Sequence, residues 1–308
     1  MGSPPSIEVY AAHTDILGEG PLWSVSDGAL YWLDIAQRRL YRKAPAESGD
    51  HAWHLPDYPG CLAEVGPGTI ALAMGEGVQL FAVQHESLQL QCSPRGRRPG
   101  TRFNDGKVDP SGCFWAGTMQ NNFGPDGDPI PVTRSDGTLF RFDPDGTASM
   151  LEENIGVSNT LAWSLEHERF YFADSIPGCI YVYDYDADSG TIRNRRTHFD
   201  APGFGIPDGS AIDVDGCLWN ARWDGGAILR ITPAGKVDRR IALPLPRPTS
   251  CIFGGPRFET LFVTSARQSL SAAALHEFPF SGSVLAINGL AQGLPVPPFT
   301  IDSTQDRT

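Results

Sequence analysis

Six segments of the chain repeat one short frame, an oxygen- or sulfur-bearing side chain followed four places later by a large apolar one. The frame runs from Glu19 to Trp23, Asn104 to Val108, Asn159 to Trp163 and Asp208 to Ile212, and Cys61 before Val65 and Thr249 before Phe253 complete it. If these segments are the inner strands of a six-fold ring, then Glu19, Cys61, Asn104, Asn159, Asp208 and Thr249 form one tier around its axis. Two carboxylates and an amide oxygen brought to one point repel unless a positive charge lies between them, and a divalent cation meets that need with oxygen ligands. Glu19, Asn159 and Asp208 are the expected metal ligands, with positions left for water and substrate, and Asn104 stands just outside them. An oxygen-only set favours a hard ion such as Ca, Mg or Mn, with Zn able to use a similar shell; Ca is favoured.

The elements that would hold such a tier are legible as a repeat. Strand-like runs of aromatic and β-branched residues recur at Leu30–Leu33, Thr69–Leu72, Cys113–Ala116, Phe170–Ala173, Cys217–Asn220 and Leu261–Thr264. They lie roughly 40 to 56 residues apart, the spacing of propeller blades. Turn formers precede several of them, as in Ser26-Asp27-Gly28, Asp109-Pro110-Ser111-Gly112 and Asp213-Val214-Asp215-Gly216, and a further strand follows most. No long amphipathic helix is apparent. A four-stranded sheet cannot bury both its faces alone, so the expected fold is an all-β, six-bladed β-propeller with four antiparallel strands per blade, a single domain over residues 1–308. Ile7-Glu8-Val9-Tyr10 is expected to pair near Ser283–Ala286 and close the ring. Residues 1–6 read as a flexible tail, and residues 120–135, rich in Asn, Gly, Asp and Pro, as a candidate lid over the site.

Five motifs carry a resemblance to a known family. Gly18-Glu19-Gly20-Pro21-Leu22-Trp23, Arg102-Phe103-Asn104-Asp105-Gly106-Lys107, Trp115-Ala116-Gly117-Thr118-Met119, Ser158-Asn159-Thr160-Leu161-Ala162-Trp163 and Pro207-Asp208-Gly209 resemble, in order, those of the regucalcin (senescence marker protein 30)/gluconolactonase family. The resemblance spans about Ile7 to Val284. It implies a six-bladed propeller with one divalent metal in its axial channel, and hydrolysis of sugar lactones. By this resemblance Glu19, Asn159 and Asp208 fall on the metal ligands, and Arg102 and Asn104 on the substrate-binding pair. Two departures stand out. Gln120-Asn121-Asn122 occupies the place of an acidic sugar contact, with Asn122 its nearest equivalent, so the lid is neutral. Asn159-Thr160 replaces an Asn-Gly pair, and the backbone after the ligand loses glycine's freedom.

Lactone hydrolysis needs a polarised carbonyl, an activated water and stabilisation of the charge that develops on oxygen. Asp208 is the expected proton acceptor for the attacking water. Arg102 would anchor sugar hydroxyls or the ring oxygen through its planar donors, with Asn104 and Asn122 adding neutral hydrogen bonds. The expected reading is a metal-dependent hydrolase of sugar lactones such as gluconolactone. Alternatives are a noncatalytic propeller that binds a cation or partner, and a hydrolase of another ester on the same metal.

Composition bounds the partners. The 308 residues hold 36 acidic against 24 basic side chains, a net charge of −12, which disfavours nucleic acid and anionic membrane surfaces. The first residues lack a basic, apolar leader and no run approaches a membrane span, so the expectation is a soluble, cytoplasmic chain, monomeric by default, whose partner is a small sugar lactone. The six cysteines show no CxxC pair, and buried reduced thiols are expected. GxSxG, HExxH, P-loop and GxGxxG motifs are absent. Asp184–Gly190 has its Gly one place late for a calcium loop and Arg195 where the closing Glu belongs, so it reads as a hairpin turn.

Overall fold

Hydrophobic runs become strands buried on both faces where sheets stack, and the computed structural model, which describes residues 5–302 except Pro125 and Ala201, bears this out. The second strand of the first repeat, Ala29–Asp34, is buried at every position, whereas outer strands such as Val237–Ala242 are mostly exposed. Burial thus falls from the axis outwards.

Six four-stranded antiparallel sheets make a six-bladed β-propeller. Blades 1 to 5 each run outwards in chain order from their inner strands, Gly18–Ser24, Pro59–Gly66, Thr101–Val108, Ser158–Trp163 and Ile206–Ile212. Blade 6 begins with Pro248–Gly254 and takes its outermost strand, Ser6–Ala11, from the other end of the chain. Ile7 faces Ile287, Glu8 faces Ala286 and Val9 faces Leu285, so the ring closes as the sequence predicts. Of the expected tail, residues 1–4 lie outside the described residues, and Ser6 already belongs to the closing strand.

Asp109 and Asp213 explain the turn signals. The Asp109 carboxylate accepts from the backbone of Ser111 and Cys113 and from Trp115 Nε1 at 2.9 Å, and Asp213 does the same for Asp215, Cys217 and Trp219. Each carboxylate fixes its hairpin and satisfies a buried indole N–H. The one helix among the described residues is short, Ala272–Glu277, capped by Ser271. Asp184–Gly190 does form a hairpin turn, with Asp186 accepting from Asp188 and Ser189. No helix among the described residues is long and apolar enough to cross a membrane. Five cysteines are buried, Cys179 is half-buried, and none is bridged.

One irregularity positions the tier. Every inner strand carries an extra residue against its neighbour, between Glu19 and Leu22, Pro59 and Cys61, Phe103 and Gly106, Asn159 and Ala162, Pro207 and Ser210, and Pro248 and Ser250, and that of blade 2 carries a second between Glu64 and Gly66. Residues four apart in an unbroken strand share a face; one bulged residue reverses the alternation. Glu19 therefore lines the axis while Trp23 packs between blades, stacked on Phe262 with ring centroids 5.7 Å apart.

Candidate active site

Above the bulges the axis opens into a cavity of about 250 Å³. Glu19, Arg102, Asn104, Asn122, Asn159 and Asp208 all line it, with Ser175, Gln268 and Trp223 and apolar walls from Leu17, Met119, Val132, Val157, Ile176 and Ile206. The inner strands of blades 1, 3, 4 and 5 each supply an oxygen-bearing side chain. The other two positions of the predicted tier are not on this wall. Cys61 packs in the core between blades 2 and 3, and Thr249 donates to the Gly18 carbonyl at 2.5 Å, joining blade 6 to blade 1.

The two carboxylates have few donors. Glu19 Oε2 accepts from the N–H of Gly20 at 3.1 Å, and Asp208 is served by the N–H of Gly209. Burial pushes the carboxyl of Glu19 well above the ordinary range, and the charge of Asp105 adds to it. Asp208 rises for the same reason, with Glu19 and then Asp105 as the repelling charges.

The amide of Asn159 has a fixed orientation. Ser175 Oγ donates to the Pro207 carbonyl at 2.7 Å, so it can only accept from Asn159 Nδ2, 2.8 Å away. That leaves Asn159 Oδ1 on the side of Asn104, whose Nδ2 reaches it at 3.3 Å and the Ser158 carbonyl at 2.9 Å. Asn104 Oδ1 in turn accepts from Arg102 Nη1 at 2.9 Å. The polar atoms of Asn104 are thus engaged by protein, and its place is between Arg102 and Asn159.

Arg102 is buried, its Nη1 shared between the Phe103 carbonyl and Asn104 and its Nε given to Asn122 Oδ1 at 2.8 Å. Its Nη2 and the Nδ2 of Asn122 make no hydrogen bond among the described residues. The guanidinium lies 5.2 Å from the Phe123 ring, and burial lowers its pKa to about 10, opposed by Glu19. Phe123 stacks on Tyr58 at 4.5 Å and 13°. Gln120 Oε1 accepts from the N–H groups of Thr133 and Arg134, clamping the base of the 120–135 segment, while Val132 reaches the cavity wall.

Two carboxylates and one oriented amide oxygen, without thiolate or imidazole, make a hard-donor set, and the shortage of N–H donors around both carboxylates is what a bound divalent cation would relieve. Among the described residues no three or more His, Cys, Asp or Glu side chains gather as a metal site, so the amide is essential to this reading. The sequence gives no signal for Ser175 or Gln268. Ser175 belongs to no repeated frame, and Gln268 lies after the last blade's second strand. Gln268 Oε1 is buried with no partner among the described residues, an acceptor available to a ligand hydroxyl.

Residues 17–267 match the family model described as the SMP-30/Gluconolactonase/LRE-like region. The chain belongs to the SMP-30/gluconolactonase family. It is 38% identical over 298 residues to the 6-deoxy-6-sulfogluconolactonase of Pseudomonas putida, covering 96% of this chain and 98% of that one. It is 35% identical over 286 residues to regucalcin of Xenopus laevis, covering 92% and 94%. Among solved structures, a regucalcin of Agrobacterium tumefaciens, described as a calcium-binding protein, superposes with a TM-score of 0.88 at 27% identity over 95% of this chain and 97% of that one. The family resemblance drawn from five motifs therefore holds across nearly the whole chain.

Proposed function

We propose that the axial cavity hydrolyses sugar lactones to aldonic acids, with a divalent cation held by Glu19, Asn159 Oδ1 and Asp208. The chain is a hydrolase of lactone esters, as its family and the names of its lactonase relatives indicate. Metal-dependent hydrolysis is supported by the meeting of two under-donated carboxylates and an oriented amide oxygen in one cavity with a buried arginine. When bound, the cation supplies Lewis-acid polarisation of the carbonyl and eases deprotonation of water.

The residues of the chain do the rest. Arg102 Nη2 and Asn122 Nδ2, both spare donors, hold ring or hydroxyl oxygens of the sugar, and Gln268 Oε1 accepts from a hydroxyl. Asp208 accepts the proton of the attacking water and passes it to the ring oxygen as the acyl C–O bond breaks, leaving the open aldonic acid. Asn104 keeps Arg102 and Asn159 in place. The apolar walls and the 120–135 lid exclude bulk water, which strengthens each of these bonds. The name of the regucalcin neighbour favours calcium as the ion. Among the lid-side residues lining the cavity, Met119, Asn122 and Val132, none is acidic, so a lactone with an anionic substituent, as in the name of the Pseudomonas relative, belongs in the substrate range.

The test is acid release, followed with a pH indicator, from a panel of aldonolactones and a 6-sulfo analogue, before and after chelation. Release from at least one lactone, lost on chelation and restored by a divalent salt, is expected. Acid release unaffected by complete metal removal contradicts the reading, and no release from any member leaves a noncatalytic propeller.

A further inference from the structure

The opposite mouth of the axis is crossed by residues 290–302. Gln292 accepts from Val214 of blade 5 at 2.9 Å, Phe299 donates to Glu64 of blade 2 at 2.6 Å, and Thr300 donates to Gly112 of blade 3 at 2.9 Å. Between this strap and the ends of the inner strands lies a second cavity, about 260 Å³, walled by Ala162, Trp163, Ile212, Ile252 and Phe253 and by Leu294 of the strap. Its wall is mainly apolar, with Ser164 and an exposed His167 also on it, and its Leu165 and Leu294 remain exposed, 37% and 41%.

One cation breaks the apolar lining. Lys107, on the inner strand of blade 3, spans the channel to blade 5, where its Nζ donates to the Ser210 carbonyl at 2.5 Å. It borders both this cavity and the narrow void above it, which Asp105 and Cys251 also line. Among the described residues Nζ makes no other hydrogen bond and no ion pair within 4.0 Å, so two of its three N–H groups are unclaimed. Burial lowers the basicity of this amine, with Asp105 opposing the shift. Asp105 acts on this ammonium from beyond ion-pair distance, so its burial stays costly until a closer counter-charge reaches it.

We propose that this mouth binds an apolar monocarboxylate, a medium-chain fatty acid, with the carboxylate on Lys107 Nζ and the hydrocarbon between Trp163, Ile252 and the strap. The site is separate from the lactone cavity and independent of its chemistry. Charge complementarity selects the head group, and the apolar wall selects the tail.

Isothermal titration of octanoate and of octan-1-ol into chelator-treated full-length protein tests it, chelation keeping the acid from any metal in the other cavity. One octanoate per chain is expected, bound about tenfold more tightly than the alcohol, as a charge-assisted bond provides. Lys107→Met should erase that preference. Ile212→Trp, which fills the cavity from its wall without removing the ammonium, should weaken both ligands. Equal binding of acid and alcohol to the wild type, no binding at all, or undiminished binding to Ile212→Trp overturns the proposal, as does a preference that survives Lys107→Met. If Lys107→Met does not fold, the first comparison and Ile212→Trp still decide. In each overturning case Lys107 serves only to balance Asp105.

Discussion

The hydroxyl of Thr160 donates to the backbone carbonyl of Asp208, tying the inner strand of blade 4 to that of blade 5 at the tier of the site. Thr160 does so in a left-handed conformation, φ 51°, that costs a β-branched residue about 1–2 kcal/mol. Gly20 holds the corresponding place after Glu19 at φ 53°, where no such cost arises. Asn220 Nδ2 completes the tie by donating to Thr160 Oγ1 at 3.1 Å and to the Asp208 carbonyl at 2.9 Å, and Arg222 Nη1 holds Asn220 Oδ1 at 2.9 Å. Backbone strain is retained here in exchange for a fixed distance between Asn159 and Asp208.

Thr160→Gly tests this tie. The variant relieves the strain but deletes a buried hydroxyl bonded to Asp208, Ser210 and Asn220, so its Tm should fall, and divalent-ion affinity should fall about tenfold through the lost support of a ligand. Thr160→Ser keeps the hydroxyl and should bind metal as the wild type does. Calorimetric titration beside thermal unfolding reads both effects.

Ser175 orients Asn159, and Ser175→Ala frees the amide to turn its Nδ2 towards the ion. Metal affinity should drop about 10- to 100-fold, the usual range for loss of a ligand's supporting bond. Lactonase activity should recover at saturating metal, which distinguishes this variant from a misfolded one.

Phe123 sits between the Tyr58 ring and the Arg102 guanidinium. Its removal in Phe123→Ala costs a buried cation–π contact of about 1–2 kcal/mol and loosens both the lid and the arginine. Steady-state kinetics should show KM raised about tenfold, with kcat changed far less.

Outside the site, burial lowers the pKa of His198 from 6.5 to about 4, with Arg169 adding to the effect, and its Nε2 has no partner among the described residues. The unfolded chain then binds a proton that the folded chain refuses, so stability is lost as pH falls from about 6.5 towards 4. His198→Phe removes that loss, and its Tm should decline less than that of the wild type between pH 7 and pH 5.

Much of this was legible in the sequence because the fold is a repeat. The strand triplets and the Asp-Gly turns mark the blades, and the bulge between Glu19 and Leu22 turns the four-residue frame of Glu19 and Trp23 into an axis residue and an inter-blade residue. A linear pattern shows that frame but not the bulge that explains it. Cys61 and Thr249 share the frame, yet their blades face the cavity with neither, since sequence phase fixes a tier and not which side chains reach its centre. Asn104 is in the site, but its hydrogen bonds make it a brace for Arg102 and Asn159. Ser175, Gln268 and the Thr160 tie arise from contacts between blades, for which no spacing along the chain gives a signal.

One cation shared by Glu19, Asn159 and Asp208 is the centre of the proposed site, and calorimetric titration of divalent salts into chelator-treated protein measures it most directly. One site per chain is predicted in the wild type, abolished in the folded Glu19→Gln/Asp208→Asn double variant. Absence of any site in the wild type, or an unchanged site in that variant, would contradict it.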